Sequence, residues 1–123
     1  MNRLIKISLS TLFLLGSSIA IACDYPERPA IPDGSTASKD ELIAAKNSVQ
    51  DYMAKVDEYL NCIESAEKAA VEALDNPSEE ERQRRESMLN MKFDAANEEK
   101  ALLGERFNQE IRAFNAKVQE SKE

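Results

Sequence analysis

From residue 42 to residue 73, apolar or small side chains recur at 42, 45, 49, 52, 56, 59, 63, 66, 70 and 73, in strictly alternating steps of three and four. That spacing keeps one face of an α-helix apolar turn after turn and is the heptad pattern of helices that pack along their length. Leu42, Val49, Val56, Ile63 and Ala70 form one series of the seam; Ala45, Tyr52, Tyr59, Ala66 and Ala73 form the other. After residue 37 the chain holds a single proline, Pro77, and a single glycine, Gly104. An all-β domain needs many more turn residues than that, and long helices need as few. The expected class is all-α.

Both ends of the first helix carry signals. Ser38-Lys39-Asp40-Glu41 is a capping box, in which the serine hydroxyl accepts a backbone amide while the glutamate reaches back. At the other end Asp75-Asn76-Pro77-Ser78 breaks the pattern, because proline disfavours helical geometry in the residue before it. Ser78 and Glu81 repeat the capping spacing, and Glu79, Glu80 and Glu81 sit where the helix dipole favours anions. The expectation is a first helix over 38–75, a turn at 76–78 and a second helix over 79–120. So short a connection makes the two antiparallel neighbours, a coiled-coil-like hairpin.

The second seam is weaker. Leu89, Phe93, Ala96, Leu103, Phe107, Ile111, Phe114 and Val118 line it, but Lys100 interrupts it. Pairing the chain symmetrically about the turn sets Ile63 near Met91, Leu60 near Phe93, Val49 near Leu103 and Leu42 near Ile111. Phe114 and Val118 then overhang the start of the first helix, where Ile31 and Pro32 are expected to cover them. Near the turn, residues 66–73 face the polar run 79–86, so a thinly packed tip is expected.

Residues 1–22 read as a cleaved secretory leader: Arg3 and Lys6 precede an apolar stretch, and Ala20-Ile21-Ala22 is a small-x-small cleavage site. The stretch is too short, and too polar at its end, to span a bilayer. Cleavage leaves 14 Lys and Arg against 23 Asp and Glu, a net charge of −9 compared with −7 for the whole chain. Residues 23–37 form a Pro-rich segment with prolines at 26, 29 and 32, which favour an extended polyproline conformation.

The two cysteines admit two readings. Cys23 would be the first residue after cleavage, as in an acylated lipoprotein, which leaves Cys62 a lone thiol. Alternatively Cys23 and Cys62 pair, as an oxidising compartment favours, and no odd cysteine remains. Ala20 three positions before Cys23 suits ordinary cleavage better than lipidation. Distance allows the pair: Cys62 lies about 36 Å along the helix from Ser38 at helical rise, and the Pro-rich segment reaches about 46 Å when extended.

Little in the chain points to chemistry. It has no histidine, so the commonest general base and commonest zinc ligand are missing. Cys23 and Cys62 form no CxxC motif, and no GxSxG, HExxH or phosphate-cradling glycine loop occurs. Asp57 and Glu58 lack the spaced oxygens of a calcium loop. Arg82, Arg84 and Arg85 are matched by neighbouring acids, as in Glu80–Arg84 and Glu81–Arg85 at i,i+4 spacing, and read as a solvated helical turn. The acidic balance disfavours nucleic acid. No enzymatic activity, cofactor or metal is expected.

The stretch Cys23-Asp-Tyr-Pro-Glu-Arg-Pro-Ala-Ile-Pro-Asp-Gly, read with Tyr59-Leu60-Asn61-Cys62, resembles a group of small exported gammaproteobacterial proteins of unknown function. Their mature part opens with a Cys, a PxxPxIPDG-like segment and an early helix ending in YLxC. The resemblance spans residues 23–63. It implies a periplasmic location and, through the second cysteine, a Cys23–Cys62 pair; it implies no activity. The chain lacks the terminal lysine of the murein-linked lipoprotein and the LTxxQ repeats of small periplasmic chaperones.

The expectation that follows is a periplasmic or secreted interaction or structural module whose partner is protein, including self-association. Met53, Leu60 and Leu74 on the first helix, or Phe107 and Phe114 on the second, are the candidate contact residues. The alternatives are a holdase-like chaperone using the same residues, or an envelope protein anchored to the membrane through acylated Cys23.

Overall fold

The computed structural model describes residues 22–122. The expected leader therefore falls outside the described residues, apart from Ala22. Two helices follow in order, α1 over Lys39–Glu72 and α2 over Glu79–Glu120, and they pack against each other. Among the described residues there is no strand, and no helix is long and apolar enough to cross a membrane.

α1 begins where its capping box puts it. The Ser38 hydroxyl accepts the Glu41 amide at 3.2 Å, and the Glu41 carboxylate accepts the Ser38 amide at 2.7 Å. Those charge-assisted contacts hold the Glu41 carboxyl below its ordinary value of 4.5, the Ser38 amide contributing most. At α2 only half the box forms: Ser78 accepts the Glu81 amide at 3.1 Å. The Glu81 carboxylate turns instead toward Arg85, 3.8 Å away.

α1 ends at Glu72, three residues short of the expected boundary. No basic side chain lies in its last turn, and Glu72 and Asp75 oppose the dipole there. Asn76 takes a left-handed φ of 51°, a conformation asparagine tolerates and one that turns the chain away from the α1 path ahead of Pro77.

The core lies along the seam. Val49, Tyr52, Val56, Leu60 and Ile63 of α1 meet Ala96 and Leu103 of α2, with Leu89, Phe93 and Phe107 partly buried against them. Val56 is 0% and Leu103 2% exposed, each stabilising the fold by about 1.5–3 kcal/mol through burial. α1 also buries Leu42 and Ala45, whereas α2 buries only Ala96 and Leu103. The heptad of α1 is thus the stronger seam, as its spacing implies. Lys100, where the second seam is interrupted, reaches across to Asp57 at 2.5 Å.

One pairing differs. Met91, expected opposite Ile63, is 68% exposed, and Leu89 packs on the core in its place. Stepping back by sevens from Leu103 gives Ala96 and then Leu89. Met91 lies two residues on, about 200° around the helix.

Candidate functional site

The two flanks of the hairpin seam differ in what covers them. Residues 22–37 contain no helix or strand and cover one flank, running back along α1. Cys23 and Cys62 are joined by a disulfide with their Cα atoms 5.8 Å apart. Two residues on from Cys23, the Tyr25 ring meets the Tyr59 ring edge to face at 4.9 Å. The Tyr25 hydroxyl lies 3.1 Å from that of buried Tyr52. Burial first, and then this hydrogen bond, push the Tyr25 phenol up to about 12.

The segment then crosses toward α2. Arg28 pairs with Glu99 at 2.6 Å, and Ile31 packs on the core beside Leu102 and Leu103. The Gly34 amide donates to the Glu110 carboxylate at 2.8 Å. The Ala37 carbonyl accepts from the Lys117 ammonium at 2.6 Å, and that ammonium sits 5.1 Å from the Phe114 ring centroid. Ile31 thus lies well down the hairpin and does not cover Phe114 or Val118. Leu103, its neighbour on α2, precedes Phe114 by eleven residues, about 16.5 Å at helical rise.

Gly34 is required by close approach rather than by φ: among the described residues no glycine has a positive φ, but a Cβ on Gly34 would fall onto the carbonyl of Glu110. Gly34 opens a turn over residues 34–36 that is held by Asp33, whose carboxylate accepts from the Ser35 hydroxyl at 2.6 Å and from its amide at 2.9 Å. Those two bonds lower the Asp33 carboxyl from its ordinary value, the hydroxyl contributing more.

The other flank is bare at the open end of the hairpin. A shallow groove of about 210 Å³ runs between the start of α1 and the end of α2, with Leu42, Ile43, Phe107, Ile111 and Phe114 as its apolar lining. Ile43 is 48% exposed. Lys39 and Lys46 edge the groove on the α1 side and Asn115 on the α2 side; no Asp, Glu or residue of the 22–37 segment lines it.

The five candidate contact residues part company. Phe107 and Phe114 line this groove, although Phe107 also packs on the core. Met53 is partly buried against the core, its methyl 3.8 Å from where a Cβ on Gly104 would stand. Leu60 is 7% exposed and belongs to the core, so it has no surface left to offer a partner. Leu74 is half-buried in the connection beyond α1, away from the others. Ile43 and Ile111 complete the groove. Ile43 falls outside the three-four series, and its only sequence signal is an isoleucine beside a seam leucine.

Toward the tip Arg85 pairs across the hairpin with Glu67 at 3.0 Å. Among the described residues no group of three or more His, Cys, Asp or Glu gathers to hold a metal. No protein-family model, curated protein or solved structure matches the chain.

Proposed function

We propose that this protein is an exported, non-enzymatic interaction module: a helical hairpin strapped on one flank and open to a protein partner on the other. The observation that carries this reading is the bare groove beside Ile43. One flank of the seam is covered by the chain's own N-terminal segment, while Phe107, Ile111 and Phe114 on the other remain partly exposed. The reading places the mature chain in the periplasm or outside the cell. A structural disulfide supports that location, since such bonds persist in oxidising compartments. The same bond supports an unacylated Cys23 over a lipid anchor.

A photo-crosslinker placed at Ile43 in cells making the protein tests the module. A discrete protein adduct at position 43 is expected, with none from the same group at exposed Gln109 on the far side of α2. The same pattern from both positions, or no adduct from either, would remove the reading.

A further inference from the structure

We infer that the groove takes an acidic amphipathic helix of a partner protein, laid along it as a third helix, with Lys39 and Lys46 pairing the carboxylates that flank its apolar stripe. This rests on the interaction-module reading and adds the chemistry of the partner. The first ground is charge. The chain carries 23 acidic against 16 basic side chains, yet the groove is lined by two lysines and no acid. Among the described residues neither lysine joins an ion pair, which they share with most of the basic side chains; Arg28, Arg85, Lys100 and Arg112 are the paired ones. Two unpaired cations on one edge of an apolar floor, on an acidic protein, are complementary to a ligand that is both apolar and anionic.

The second ground is shape. Lys39 and Lys46 are seven residues apart on α1, as are Phe107 and Phe114 on α2, so edge and floor each extend about 10.5 Å, two helical turns. An amphipathic helix presents apolar side chains at i, i+3, i+4 and i+7 over that same length, with flanking charges in parallel rows. On α1 the lysines stand on the flank of the core stripe opposite Tyr59 and Cys62, so a third helix would meet none of the strap. An anionic bilayer fits less well: it would face the acidic remainder of the surface as well as the two lysines, and be repelled by it.

The test uses the purified oxidised protein and calorimetric titration with two synthetic amphipathic helices. Both have the same leucine stripe, one flanked by glutamates and the other by lysines. Binding of the glutamate peptide is expected, with the lysine peptide about tenfold weaker or more, given two exposed pairs turned from attractive to repulsive. The double substitution Lys39→Glu, Lys46→Glu, both at exposed positions, should invert that preference while the helical circular dichroism stays unchanged. Ile43→Ser should weaken binding of the glutamate peptide without altering the charge preference. Equal binding of the two peptides, or binding of neither, would overturn the proposal. So would a tighter association with phosphatidylglycerol vesicles, or a dimer in sedimentation that buries Ile43. An adduct at Ile43 with no peptide discrimination would sink this inference alone and leave the module standing.

Discussion

The backbone amide of Gly34 donates to the side chain of Glu110, 76 positions along the chain, at 2.8 Å. The approach is so close that the Glu110 carbonyl occupies the place of a Gly34 side chain. This contact seats the far end of the strap, as the Cys23–Cys62 bond seats the near end.

Substituting the two described glycines should therefore act in opposite directions. Gly34→Ala forces the segment off α2, at about 1–3 kcal/mol, the usual cost of overpacking. Amide exchange over residues 33–37 should accelerate. Gly104→Ala meets only the Met53 methyl, at ordinary contact distance, and gains helix propensity of about 1 kcal/mol. Thermal unfolding of the two variants beside the parent checks both signs.

Opening the disulfide should cost more than any single side chain on the strap. The bond closes a loop of sequence separation 39, which in the chain-entropy model is worth about 4 kcal/mol. Cys62→Ser, compared with the parent by urea unfolding, should lose stability of that order. Arg28→Ala, which removes an exposed ion pair, should lose at most about 1 kcal/mol.

Leu103 and Met91 separate the seam from the surface of the same helix. Leu103→Ala removes a side chain that is 2% exposed and should cost about 2–5 kcal/mol. Met91→Ala acts at a position 68% exposed and should stay within about 0.5 kcal/mol of the parent. Equal losses would mean the two helices pair in another register.

Stability should fall at acid pH. The Asp33, Glu41 and Glu105 carboxyls are all held below their ordinary values, Glu105 chiefly by its hydrogen bond from Arg112. A carboxyl with a lowered folded value adds stability that is fully present above its unfolded value. That contribution is lost as pH drops through the folded one. The melting temperature should hold above about pH 4.5 and decline below it. Glu41→Gln should shallow that decline, because the Ser38 amide then has a neutral acceptor at every pH.

The sequence by itself determined the two helices, the break at Asn76-Pro77 and the Ser38 cap. The seam of α1 was legible too, because periodicity, capping and proline effects act within a few residues of chain. It also admitted the Cys23–Cys62 bond, since reach is a property of contour length, while leaving acylation of Cys23 open. Tertiary structure alone decided which flank of the seam the strap covers, that Leu60 belongs to the core, and that Leu89 rather than Met91 packs near Ile63. It also decided that Ile43, Ile111, Lys39 and Lys46 share one groove. Each of these depends on which way a helix is rotated against a neighbour dozens of residues away. A weak second seam, interrupted at Lys100, leaves that rotation unspecified until the strap and the hairpin pack together.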